Sequence, residues 1–164
     1  MSTRTQIILA VVLGIVLLDQ ATKILVAQTI PLYERIPVVP SFFDLTHLRN
    51  PGAAFSLFAQ APEWFRQPFF FVVPGIAIVA LLVFLHQAKE EGLLLTIAVS
   101  GVLAGAIGNL IDRIAYGEVI DFLLVYWGEY HWPVFNVADS CITLGVIGLL
   151  WTSFRAPSAP ASSR

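Results

Sequence analysis

The stretch Leu93-Leu-Leu-Thr-Ile-Ala-Val-Ser-Gly-Val-Leu-Ala-Gly-Ala-Ile-Gly-Asn-Leu-Ile-Asp-Arg113 is apolar almost throughout, then gathers Asn109, Asp112 and Arg113 at its end. A helix needs about 20 apolar residues to cross the hydrocarbon core of a bilayer. Three further segments qualify, roughly Gln6–Ala27, Pro68–Leu85 and Phe135–Phe154. In lipid the backbone must satisfy its own hydrogen bonds, so helices are the viable spanning form. Composition agrees: of 164 residues, 57% are hydrophobic and 12% charged, with a mean hydropathy of +0.80, whereas a soluble domain carries about 25% charged residues. The expected fold class is an all-α membrane protein with four transmembrane helices. One domain covers residues 1–155, and the Pro/Ser/Ala-rich tail 156–164 reads as disordered.

The first segment has Arg4 ahead of its apolar core, as a signal peptide would. Asp19 and Lys23 follow directly and no small-x-small cleavage site closes the core, so a retained helix is expected. Four spans put both termini on one side. Arg4, Lys89, Arg155 and Arg164 then fall on the terminal side and Arg35, Arg49, Arg66 and Arg113 on the other, so the positive-inside rule does not choose an orientation. Between the first two spans, prolines 31, 37, 40, 51 and 62 interrupt β-prone pieces at Ile36–Val39 and Phe42–Leu48, which predicts a small sheet at the interface. Phe122–Pro133, with Tyr126, Trp127, Tyr130 and Trp132, is expected to lie along the membrane surface. Gly101-x-x-x-Gly105, Gly145 and Gly148 would let helices approach closely.

A carboxylate at mid-membrane costs about 2.5–3.5 kcal/mol on insertion scales, yet acids recur in this chain. Asn109, Asp112 and Arg113 share a helical face at the end of span three, and Asn136, Asp139 and Ser140 repeat that spacing at the start of span four. An antiparallel pair of spans brings both clusters to one membrane side, where Asp121 can fold back towards Asp139. Two close carboxylates in a low-dielectric site share one proton. The ionised one can then activate water while the other polarises a carbonyl. Asp19 and Lys23, four residues apart in span one, suit an ion pair that either is purely structural or pins the loop Arg49-Asn50-Pro51-Gly52-Ala53-Ala54-Phe55 over the site. The lone Cys141 excludes an internal disulfide and a cysteine-based zinc site, and no His-Glu-x-x-His or Gly-x-Ser-x-Gly is present. A net charge of −2 without a basic patch gives no footprint for nucleic acid.

Together these residues resemble the lipoprotein signal peptidase, or signal peptidase II, family. The resemblance rests on Asp19-Gln-Ala-Thr-Lys23, Arg49-Asn-Pro-Gly-Ala-Ala-Phe-Ser56, Gly108-Asn-Leu-Ile-Asp-Arg113 with Gly117-x-Val119-x-Asp121-Phe122, and Phe135-Asn-Val-Ala-Asp139-Ser140. It implies a four-helix inner-membrane protein with cytoplasmic termini, an extracytoplasmic β-cradle and a surface helix between spans three and four. It implies a catalytic dyad of Asp121 and Asp139, supported by Asn50, Gly52, Asn109, Arg113 and Asn136, with Asp19, Lys23 and Asp112 as structural polar groups. The implied substrates are prolipoproteins carrying diacylglycerol, cut just before the lipidated cysteine in the bilayer. No metal or other cofactor is implied, globomycin-type cyclic peptides would inhibit by occupying the dyad, and nothing requires an oligomer.

Two other classes fit the same acids less well. A transporter using them as a proton relay would show internal repeats and paired broken helices near the midplane, and a structural subunit would use them for assembly alone.

Overall fold

The computed structural model describes residues 1–52, 57, 58, 60–88 and 92–155, so the tail 156–164 and Ala53–Ser56 of the motif loop lie outside the described residues. The four apolar segments form α1 (Thr3–Thr29), α2 (Glu63–Gln87), α3 (Leu93–Tyr116) and α4 (Val137–Arg155), each long and apolar enough to cross a membrane. Local chemistry sets their ends. Ser2 caps α1 by accepting the Thr5 N–H at 3.2 Å. Gly117 ends α3 at φ +76°, a left-handed conformation glycine adopts without strain, and returns its N–H to the Arg113 carbonyl at 2.9 Å. α2 starts at Glu63, earlier than the expected Pro68, and runs through Pro68 and Pro74. Membrane helices tolerate such prolines because neighbouring groups can satisfy the freed carbonyls.

α3 is the buried centre, contributing Ala98, Val99, Leu103 and Ala104 to the interior, while Leu13, Leu17, Val79, Leu82, Ile147 and Leu150 of the other helices face outward. Lipid tails are as apolar as leucine, so association rests on close packing rather than on expelling water. Small residues supply that closeness where α3 meets α4. A Cβ on Gly105 would fall on the Ala138 carbonyl and the Ile142 side chain, and one on Gly145 would lie 2.6 Å from the Ala98 carbonyl oxygen.

Strands β1 (Arg35–Val39), β2 (Phe43–Asn50), β3 (Val119–Trp127) and β4 (Tyr130–His131) form one antiparallel sheet in sequence order. The expected pieces after span one are β1 and β2. The surface helix expected between spans three and four is corrected: Phe122–Pro133 is occupied mainly by β3 and β4, joined through Gly128 at φ +58°. The reason is visible in Val119-Ile-Asp-Phe-Leu-Leu-Val-Tyr-Trp127, where β-branched and aromatic residues favour a pleated surface. Strand β2 already offers an edge for pairing, with Asn50 opposite Val119 and Leu48 opposite Asp121. The hairpin still exposes Trp127, Tyr130 and Trp132, consistent with an interfacial position. An irregularity in β2 between Leu45 and Leu48 leaves Thr46 and His47 both buried. The Thr46 hydroxyl donates to the Glu34 carbonyl, and the His47 ring bonds the Ile30 carbonyl that ends α1, so the sheet is tied to the bundle.

Gly105→Ala should lower the thermal unfolding midpoint in detergent, since overpacking typically costs about 1–3 kcal/mol. Gly14→Ala, where a Cβ meets nothing within 4 Å, should hold or raise it. Equal midpoints for the two variants would contradict the close α3–α4 contact.

Candidate active site

The site is built around a buried cation. Lys23 Nζ lies 2.8 Å from Asp19 Oδ2 and 2.9 Å from Asp112 Oδ2, all three residues being essentially sealed from solvent. Charges so placed persist only when their remaining donors and acceptors are satisfied. Gln20 Nε2 donates to Asp112 Oδ1 at 2.9 Å and also to Asp19 Oδ2 and the Gly108 carbonyl. Gly108 makes room, because a Cβ there would lie 2.6 Å from Asp19 Oδ2. The last two acceptors reach other elements: Asp19 Oδ1 takes the Ala138 N–H at 2.9 Å and Asp112 Oδ2 takes the Ile120 N–H at 3.0 Å. Ala138 and Ile120 immediately precede Asp139 and Asp121, so the ion cluster fixes the backbone at both candidate acids.

Asparagines then join those acids. Asn136 caps α4 reciprocally with Asp139: its Oδ1 accepts the Asp139 N–H at 2.8 Å and its own N–H donates to Asp139 Oδ2 at 3.3 Å. The same residue donates from Nδ2 to Asp121 Oδ1 at 2.8 Å, so one side chain and its amide touch both carboxylates. Asn50 donates to Asp121 Oδ2 at 2.9 Å, and Asn109 donates to Asp139 Oδ1 at 2.7 Å. Burial, and next the charge of Asp139, push the Asp121 carboxyl up to about 7, against the hydrogen bonds from Asn50 and Asn136. A carboxyl in that range can exchange a proton near neutrality.

Asp139, Asn109 and Arg113 line a groove of about 710 Å³ whose remaining lining is largely apolar, with Phe69, Phe70 and Val73 from α2 and Ile142 and Leu144 from α4. Arg113 lies over the Phe70 ring at 4.8 Å and donates to the Gly52 carbonyl at 3.0 Å. Asn50 in turn accepts the Gly52 N–H at 2.9 Å. The loop start is thus held by Arg113 and Asn50, while the ion pairs of Lys23 run within α1 and to α3.

The structure brings together the ten residues singled out from the sequence: Asp19, Lys23, Asn50, Gly52, Asn109, Asp112, Arg113, Asp121, Asn136 and Asp139. Sequence reasoning missed Gln20 as a member of the ion cluster, although an amide inside an apolar span is itself a cue. It also missed Phe70 as the platform for Arg113, for which nothing in the local sequence gives a signal.

Comparison with known proteins follows the same lines. The family model described as signal peptidase (SPase) II matches residues 11–155. The chain is 49% identical over 150 residues to the lipoprotein signal peptidase of Syntrophotalea carbinolica, covering 92% of each. It is 50% identical over 137 residues to that of Geobacter sulfurreducens, covering 84% of each. A solved bacterial membrane enzyme, obtained by the in meso method at 2.3 Å, superposes with a TM-score of 0.83 at 31% identity, over 96% of this chain and 93% of that one. A second, at 1.9 Å, gives 0.81 at 32% identity over 91% and 93%.

Lys23→Ala should reduce folded yield in detergent more than Asp19→Ala, because it strands two buried acids rather than removing one; breaking such a pair typically costs about 3–5 kcal/mol. Equal yields on size exclusion would argue against the buried cation as the organising charge.

Proposed function

The chain belongs to the signal peptidase II family, and we propose that it acts as a membrane-embedded aspartyl endopeptidase. As a member it is a multi-pass peptidase of the bacterial inner membrane, concerned with lipoprotein processing. The finer reading is that it removes signal peptides from prolipoproteins already carrying diacylglycerol on the cysteine just after the cut. Both termini would be cytoplasmic and the dyad near the extracytoplasmic face.

One observation carries the mechanism: Asn136 hydrogen-bonds Asp121 through its side chain and Asp139 through its backbone, at a groove whose walls are apolar. Burial and the charge of Asp139 both disfavour a second ionisation at Asp121, against the amide donors, so the pair favours one proton between its two members. The ionised member takes a proton from water, the water oxygen attacks the scissile carbonyl, and the protonated member supplies a hydrogen bond to the developing oxyanion. The apolar groove suits an extended substrate whose flanking parts are a hydrophobic signal segment and acyl chains. Asn50, Gly52 and Arg113 support the substrate side, where the carbonyl of Gly52 is already engaged by Arg113. Globomycin-type cyclic peptides fit the same reading as occupants of the dyad, and the reaction calls for no cofactor.

Asp121→Asn and Asp139→Asn should each abolish cleavage of a diacylglyceryl-modified precursor while leaving helix content and elution volume unchanged, and the unlipidated precursor should stay uncut by the parent. Asp121, pushed up to about 7, holds its proton below that pH and loses it above. The parent's activity should therefore fall on the alkaline side of about 7, as the pair becomes doubly ionised. Retained turnover in either variant, or a rate rising steadily through that range, would remove the shared-proton mechanism.

A further inference from the structure

The two acids differ in what stands behind their donors. Asn109 Oδ1 accepts from the Lys23 ammonium at 3.0 Å, which turns its Nδ2 onto Asp139 Oδ1 at 2.7 Å. An amide whose oxygen holds a cation is a stronger donor, since linked hydrogen bonds polarise one another. The donors to Asp121 are Asn136 and Asn50, whose oxygens take the backbone N–H groups of Asp139 and Gly52.

Position reinforces the difference. Asp139 lies in the first turn of α4, where the helix N-terminus favours negative charge, and it lines the groove. Asp121 sits on β3 at 3% exposure, where an ionised carboxylate without a cation partner is costly. Among the described residues, the charged groups facing the pair are Lys23 and Asp19 from α1 and Asp112 and Arg113 from α3. Both of those acids are bound to Lys23, and Arg113 lines the groove together with Asp139.

We propose that Lys23 is a positioning residue acting through Asn109: it holds the negative charge of the pair on Asp139 and leaves the proton on Asp121. This rests on the peptidase reading and divides its roles. Asp139 takes a proton from water as the water oxygen bonds to the scissile carbon, and Asp121 passes its proton to the carbonyl oxygen. Asp139 then protonates the leaving nitrogen as the C–N bond breaks, and the diol returns a proton to Asp121, which restores the starting pair.

The test is infrared spectroscopy of the full chain in detergent at about pH 5.5, above the ordinary aspartate range, so it needs no turnover. The carboxylic acid C=O band should be lost in Asp121→Asn and kept in Asp139→Asn. Adding Asn109→Ala to Asp121→Asn should bring a band back, because the amide relay to Asp139 is gone while the Asp19–Lys23–Asp112 cluster stays whole. Asn109→Ser serves the same comparison if the alanine variant does not fold. The reverse pattern, or no band in either single variant, overturns the charge assignment. An Asn109 change that restores no band overturns the role of Lys23. Either result alongside intact cleavage would leave the peptidase reading standing, whereas absent cleavage with the expected bands would remove that reading and keep the charge assignment.

Discussion

Lys23, at 1% exposure between two acids at 0%, is the constraint on which the other elements depend. An ammonium and two carboxylates removed from water cannot be left partly satisfied, because each unpaired charge costs several kcal/mol. Their remaining hydrogen bonds therefore have to be found, and they are found in Gln20, Asn109 and the backbone N–H groups of Ala138 and Ile120. Those two N–H groups belong to the residues just before Asp139 and Asp121. The demand of a buried cation is thereby converted into the placement of two further acids, one on a helix and one on a strand.

The membrane explains why this happens at one end of the bundle. Apolar surface gives helices little reason to associate in lipid, so α3 and α4 meet through small residues such as Gly105 and Gly145. The polar groups collect where α3 ends and α4 begins. The sheet adds what the helices lack. β3 carries Asp121 to the cluster, β2 brings Asn50 beside it, and Arg113 draws the Gly52 carbonyl towards the groove. The two acids are thus set beside a groove with largely apolar walls, and aromatic residues of the β3–β4 hairpin are exposed.

Much of this was legible in the residues. The four spans follow from long apolar runs, and charged residues inside or beside such runs stand out because they are costly there. Spacing of three and four residues placed Asn109 with Asp112 and Arg113, and Asn136 with Asp139. What spacing does not reveal is which side chains meet between elements. Spacing pairs Asp19 with Lys23, yet Lys23 also binds Asp112 and Asn109, some 86 residues away along the chain for the latter. Gln20 was missed for the same reason, since its partner Asp112 belongs to another helix. The region from Phe122 carries tyrosines and tryptophans that signal the interface, and the family resemblance adds a surface helix there. They do not specify the backbone, and the β2 edge and the β-branched run decided for strands.

The claim that water, rather than a carboxylate, attacks the peptide bond can be tested by a single turnover in H2(18)O with enzyme in excess over a diacylglyceryl-modified precursor. Direct attack by dyad-activated water places one heavy oxygen in the new C-terminal carboxyl of the released signal peptide, and leaves Asp121 and Asp139 unlabelled by mass spectrometry. A released peptide without the label, together with a labelled aspartate, would mean that an aspartate had attacked as a nucleophile, and would contradict the account.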